Sequence, residues 1–192
     1  MKKRDHENIF SIYLSFVVLI AFMIYAAIIK NVEFFYYGLI IIPSLFFVFS
    51  IRKKIKLKSK YITYLSLAAI LNFIGGLVRI NGVRLYDISI FFLGYDYIVH
   101  FLFSFIMVFI IYGLFGHYFK FPKKFQKIYM FIILTFLVAG MSTIVEMLEL
   151  IGVIYLNSPG VGGYVNNSLD LIFNLLGAIV ASLVIVFGDD FK

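Results

Sequence analysis

The sequence predicts an all-α fold: a polytopic membrane bundle of six transmembrane helices in a single domain, residues 1–192, with both termini cytoplasmic (N-in/C-in). Three observations predict it. The composition is 63% hydrophobic and only 14% charged, against about 45–50% and about 25% in soluble domains. The apolar residues fall into six runs near the ~20 residues that a helix needs to cross a bilayer. The basic residues crowd into alternate connections. The N-terminus, 52–60, 120–127 and Lys192 hold 14 of the 17 Lys and Arg residues. By the positive-inside rule those segments are cytoplasmic, and an even number of spans agrees.

Each element follows from its residues. The first helix is expected at about 9–29, behind "MKKRDHEN". A charged start before an apolar run resembles a secretory signal. The run is longer than the about 7–15 residues of a signal core, so it is read as a retained helix. The second covers about 34–51 and contains Pro43. Then "RKKIKLKSK", 52–60, reads as a solvated loop against anionic lipid. The third helix is expected at 61–80, the fourth at 92–119, the fifth at 128–151 and the sixth at 168–187. The last two are joined by "YLNSPGVGGYVNNS", a stretch rich in Gly and Asn. The first two helices carry no ionisable residue in their interiors and are expected to form an outer wall.

Composition excludes several function classes. There is no cysteine, hence no disulfide, thiolate metal site or cysteine nucleophile. Tryptophan is also absent, so the 14 tyrosines must supply the interfacial belt. The net charge of +7 is a topology signal rather than a nucleic-acid footprint. The expected partner is membrane lipid, and nucleic acid is not expected. The sequence leaves the oligomeric state open.

The chemistry concentrates in "TIVEMLELIG", residues 143–152. A carboxylate in an apolar setting costs several kcal/mol unless it is paired, protonated or bound to a cation. Glu146 and Glu149 also sit near a helix C-terminus, where the dipole disfavours acids, and they repel each other at i,i+3. A cation is therefore expected beside them: a metal, a proton or Arg79. Helix direction places Asp96 and His100, Glu146 and Glu149, Asp170 and Asn174, and Asn72 with Arg79 at one level, toward the outer interface. Asp96 and His100 are four apart, as are Asp170 and Asn174, so each pair shares a helix face. The small residues Gly75, Gly76, Ser142, Gly177 and Ala178 extend these faces and favour close packing.

Simpler readings exist for several of them. Asn167, three before Asp170, fits an N-terminal cap. Arg79 fits snorkelling to headgroups. Asn72 fits interhelical glue, and His117 fits an interfacial residue.

At these residues the chain resembles a known family. "YDYIVHF" (95–101), "EMLE" (146–149) and "GGYVNNSLDLIFNLLGA" (162–178) resemble the uncharacterised YjdF-like family of multi-span membrane proteins, over about residues 70–187. The order Asp, His, Glu, Asp, then Asn-x-x-Gly-Ala is also similar to VanZ-like proteins, associated with glycopeptide resistance. The resemblance places Asp96, His100, Glu146, Glu149 and Asp170 at family polar positions. Asn166 stands where that family has an Asp, and Leu102-Phe103 where it has Gln-Gly.

Three functions compete. The first is an intramembrane enzyme acting on a lipid or lipid-linked headgroup. A divalent metal would be held by Asp96, His100, Glu146, Glu149 and Asp170. Its catalytic candidates are Glu146, Glu149 and His100, its headgroup contacts Arg79 and Arg84, and its supporting amides Asn72, Asn166, Asn167 and Asn174. Oxygen-rich sites with one imidazole suit Mn, Zn or Fe. The second is a non-enzymatic, VanZ-like accessory protein that binds lipid or antibiotic. The third is a proton- or cation-coupled transporter, which would need polar groups through the inner half as well. The localisation expected is the cell membrane, multi-pass.

Overall fold

The computed structural model describes residues 3–55, 57–90, 93–156 and 163–188. It holds six long helices: α1 Lys3–Ile28, α2 Val32–Ile51, α3 Ser59–Leu77, α4 Tyr95–Phe115, α5 Gln126–Leu156 and α6 Tyr164–Phe187. All six contain stretches long and apolar enough to cross a membrane. Their ends differ from those expected. α4 starts three residues later than 92 and stops at Phe115, not 119. α5 continues to Leu156, past 151. α6 begins at Tyr164 with Gly163 as its N-cap, about one turn before 168. The cap assigned to Asn167 is therefore corrected: Asn167 lies inside the first turn, its N–H donating to the Gly163 carbonyl at 3.2 Å. Polar residues extend a helix into the interfacial region, where hydropathy alone loses it.

α1 ends in a Schellman turn. Lys30 takes the left-handed conformation at φ 59°. Its N–H donates to Ala27 at 3.1 Å, and that of Asn31 to Ala26 at 2.8 Å. Asn31 then caps α2 through its side chain, accepting from the Phe34 N–H at 3.1 Å. Glu33 thus falls in the first turn of α2, where the helix dipole favours an acid, and it is buried. The expectation that the first two helices carry no ionisable residue in their interiors did not include Glu33, because α2 begins at Val32, two residues before the expected 34.

Between α3 and α4 the chain forms small strands that the sequence reading did not anticipate. β1 Arg79–Ile80 pairs antiparallel with β2 Val83–Arg84, Ile80 opposite Val83. Asn81 and Gly82 carry φ of 53° and 84°, as a two-residue hairpin turn of this type requires. The Asn-Gly pair was the legible signal. A 3-10 turn, Leu85–Asp87, follows, and β3 Ser89–Ile90 pairs with β4 Leu93–Gly94. Tyr95 then anchors α4 to α3, its hydroxyl donating to the Leu71 carbonyl at 2.9 Å.

The bundle has two unlike ends. Leu57 lies beside Gly113 near the end of α4, and the Lys127 ammonium sits 5.2 Å from the centre of the Phe187 ring. These contacts place the basic segments 52–60 and 120–127 at one end; Lys2 and Lys192 lie outside the described residues. The turn at Lys30 and the small strands lie at the other, where the Phe34 and Tyr86 rings are 6.2 Å apart.

α4 and α6 run parallel and form the most extensive helix pair. Gly177 sets their approach: a Cβ there would overlap the carbonyl oxygen of Phe101. α5 runs antiparallel to both. Fully buried Val108, Leu134, Val138, Ala178 and Ala181 fill the space between the three helices toward the basic end. Gly177→Ala is expected to destabilise the protein by ~1–3 kcal/mol through overpacking. Thermal unfolding of the purified protein in detergent checks this; an unchanged midpoint would mean that α4 and α6 are not in backbone contact.

Candidate metal centre

Three helices deliver polar side chains to one point near the end of the bundle opposite the basic segments. Asp96 and His100 lie one turn apart at the start of α4. Asp170 and Asn174 do the same on α6. Glu146 comes from the second half of α5. His100, Glu146, Asp170 and Asn174 are 9%, 5%, 2% and 1% exposed, so their partners must be protein groups or a bound ion.

His100 stands at the centre. Its Nε2 is 3.4 Å from Asp96 Oδ1 and 3.9 Å from Asp170 Oδ1. On the other side of the ring, Nδ1 is 3.5 Å from Glu146 Oε1 and 3.1 Å from Asn174 Nδ2. Asn166 bridges the two aspartates. Its amide donates to Asp170 Oδ2 at 2.8 Å and lies 3.4 Å from Asp96 Oδ2. Each aspartate therefore has one oxygen turned to Asn166 and the other toward Nε2. Asn167 donates to Glu146 Oε2 at 2.7 Å. Behind them Ser104 donates to Asn174 Oδ1 at 2.8 Å and contacts the Ser142 hydroxyl at 2.9 Å.

One atom in this set stands out chemically. Asp170 Oδ1 is buried and has no hydrogen-bond partner. A buried, unpaired carboxylate oxygen is costly. Asp96, His100 and Asp170 each offer a ligand atom within 4.8 Å of the others. A tetrahedral ion with bonds of ~2.0–2.1 Å holds its ligands about 3.3 Å apart, so a small contraction of this triad would suffice. Two aspartates balance a divalent charge with the imidazole neutral.

The ring's two protonation patterns differ in function. With the proton on Nε2, His100 donates to Asp96, and Nδ1 accepts from Asn174. With the proton on Nδ1, it faces Glu146 Oε1, and the Nε2 lone pair faces both aspartates. Only the second can ligate a metal. A carboxylate on the far nitrogen of a ligating histidine is a recurrent outer-shell arrangement.

The other expected site residues divide. Glu146 contacts His100 from the side opposite the triad, so the geometry gives it an outer position rather than one among the three converging donors. Glu149 is partly buried and within electrostatic reach of His100, with no hydrogen bond or ion pair of its own among the described residues. Asn166, Asn167 and Asn174 are in the network. Asn72 Oδ1 is buried without a hydrogen-bond partner and makes no polar contact with the cluster. Arg79 is exposed and donates to the Gly82 carbonyl at 3.1 Å within its own hairpin. Arg84 is held by Asp87 through two bonds of 2.8 Å and lies 3.8 Å from Glu33 Oε2. Sequence reading missed Ser104, though it follows His100 by four on the same face. It also missed Tyr97, whose hydroxyl lies 3.4 Å from Asn166 Oδ1.

The DUF2238 family, described as "predicted membrane protein", matches residues 10–189. The chain belongs to this family. No curated protein and no solved structure matches. The DUF2238 match runs from early α1 to just past α6, so the small strands and the cluster both lie within it. It supports a multi-pass integral membrane protein of the cell membrane.

The Arg84 latch lies outside the spans. Its hydrogen bonds hold the Asp87 carboxyl below its ordinary range and raise the guanidinium. A depressed folded pKa contributes stability above the unfolded value of ~3.9 and loses it as pH falls through the folded value. Asp87 is 47% exposed, so solvent screening limits the effect to about 0.2–1 kcal/mol. Asp87→Asn is expected to lower the unfolding midpoint slightly at pH 7, with the gap to wild type closing below about pH 4. A gap independent of pH would mean that the carboxylate charge is not what holds Arg84.

Proposed function

We propose that this protein is an integral membrane enzyme that uses a divalent metal to act on the headgroup of a lipid or lipid-linked molecule in the outer leaflet. The observation that carries the reading is the buried, unpartnered Oδ1 of Asp170, facing Nε2 of His100 beside Asp96. Asp96, His100 and Asp170 are the ligands. Three protein ligands leave a position open for water or substrate, the pattern of catalytic rather than structural sites. When bound, such an ion supplies Lewis acidity and an activated water.

The chain's own groups take the remaining roles. Glu146 holds the Nδ1 proton and fixes the ring. Asn166 aims both aspartates. Glu149, with no hydrogen bond among the described residues, is the group available to move a proton. Arg79, exposed at the same end, is the headgroup contact; Arg84 reaches a headgroup only if it leaves Asp87.

The orientation is part of this proposal. We read residues 1–192 as one membrane domain with both termini inside, which puts the cluster toward the outside. The gathering of basic segments at one end supports it. Within the DUF2238 family we read the chain as YjdF-like, on the order of its Asp, His, Glu and Asp motifs, with a distant likeness to VanZ-like proteins. A VanZ-like accessory role would use the same metal site without turnover. The transport reading draws on Thr135 Oγ1 and Ser182 Oγ, buried without partners toward the basic end. Buried Val138, Ala178 and Ala181 lie between them and the cluster, so they do not continue it as a polar path.

Purified wild type is expected to carry close to one equivalent of Mn, Zn or Fe by elemental analysis. Chelation should lower its unfolding midpoint, and affinity should rise with pH because protons compete for the ligands. Asp170→Asn should abolish stoichiometric metal, and Glu146→Gln should weaken binding by about 10–100-fold. If wild type takes up none of these metals near pH 8, the centre is not a metal site and the enzyme reading fails with it.

Cysteines placed at Lys123 and Val83 test the orientation. The first is expected to react with an impermeant maleimide only after the membrane is opened, the second in intact cells. Reaction of Lys123→Cys in intact cells would reverse the assignment.

A further inference from the structure

A second feature reaches the cluster from the side. Between α5 and α6 lies a cavity of about 340 Å³, lined by Thr143, Glu146, Met147, Leu150, Asn167 and Leu171, among others. Its inner wall holds the Glu146 carboxylate and the Asn167 amide, which are bonded at 2.7 Å. Its rim is apolar and open: Met147 is 59% and Leu150 52% exposed. Ile144, Met141 and Leu137 continue that exposed apolar surface along α5 toward the basic end. In a membrane-spanning helix pair such a surface faces acyl chains.

We infer that this groove is a lateral headgroup site for a diacyl amphiphile whose headgroup carries hydrogen-bond donors, ammonium or hydroxyl. Size favours a headgroup over a whole lipid. A cavity of about 340 Å³ is at the small end of ligand pockets, ~300–1,000 Å³, so the chains must lie outside along the exposed apolar face. Charge selects the headgroup. Glu146 is an acceptor at the inner wall, and a donor that reaches it makes a charge-assisted bond in a poorly solvated place. A quaternary headgroup without donors cannot.

The position also has a consequence for the metal centre. Glu146 touches the groove on one side and His100 Nδ1 on the other, at 3.5 Å. A headgroup donor that engages Glu146 competes with His100 for the same carboxylate. Groove occupancy and metal binding are therefore coupled, and the coupling is reciprocal. This inference rests on the proposed headgroup chemistry for its meaning, but the groove is measurable without it.

The test uses the purified full chain in detergent with defined lipids, read by native mass spectrometry. Phosphatidylethanolamine supplies ammonium donors, phosphatidylglycerol hydroxyl donors, and phosphatidylcholine neither. Wild type is expected to retain one or both donor lipids about tenfold over phosphatidylcholine, as one charge-assisted hydrogen bond gives. Thr143→Trp, which fills the groove from an exposed position, should abolish the preference while the unfolding midpoint stays at the wild-type value. Equal retention of all three lipids by wild type overturns the inference. So does a preference that survives in Thr143→Trp. Loss of the preference accompanied by a lower midpoint is resolved by Leu171→Trp, which narrows the groove from α6; a preference unchanged there also overturns it. Metal content is read on the same samples, so a failed metal site and a failed groove give separate results.

Discussion

The contact of one imidazole with carboxylates from three helices is the interaction on which the rest depends. Asp96 shares α4 with His100, Glu146 arrives on α5, and Asp170 on α6. None of these acids is tolerable alone in an apolar bundle. Together with His100 they form a set whose charges and hydrogen bonds can close around a cation. The helices that carry them must then approach closely. Gly177 against Phe101 and the small residues Ala178 and Ala181 make that possible, and van der Waals packing of such residues is a principal drive for helix association in lipid. Chemistry and packing thus impose one requirement on the same faces of α4, α5 and α6.

Two layers surround His100, and they are separated by its own ring. On the Nε2 side stand Asp96 and Asp170, each held by Asn166 so that one oxygen turns inward. On the Nδ1 side stand Glu146 and Asn174, backed by Asn167, Ser104 and Ser142. The imidazole converts the state of one layer into the donor strength of the other, because a proton on Nδ1 frees Nε2. The amides and hydroxyls carry no charge and keep the acids oriented where water is scarce. Asn174 donates to Nδ1 when that nitrogen is unprotonated, lies 3.5 Å from Glu146 Oε1, and accepts from Ser104 through its oxygen, which accounts for a buried asparagine in the middle of a membrane helix.

The two ends of the bundle do different work. Toward the basic end the buried contacts of α4, α5 and α6 are mainly apolar, with the isolated hydroxyls of Thr135 and Ser182 among them. At the other end polar groups enter the bundle, and irregular backbone covers it. The strands between α3 and α4 pair with each other, β1 with β2 and β3 with β4, so part of this segment's backbone hydrogen bonding is local. Arg84, Asp87 and Glu33 fasten this segment to α2, and Tyr95 fastens it to α3.

The sequence by itself determined the six helices, the segregation of basic residues and the level at which the polar residues gather. Those properties follow from hydropathy, helix rise and the cost of charge in lipid, all of which act locally along the chain. It also named Asp96, His100, Glu146 and Asp170, because i,i+3 and i,i+4 spacing puts such pairs on one face. It read the start of α6 one turn late, since Asn166 and Asn167 look like loop residues until their acidic partners are in view. It passed over Asn81-Gly82, a hairpin signal, because neither hydropathy nor the charge of the connections carries turn geometry. Only the tertiary structure decided which acid faces which nitrogen of His100. That choice is set by the rotation and approach of α5 and α6 about α4, fixed where Gly177 meets Phe101. Rotation about a helix axis leaves no trace in spacing along a single chain, so Glu146 and Asp170 read alike in sequence and stand on opposite sides of the ring in space.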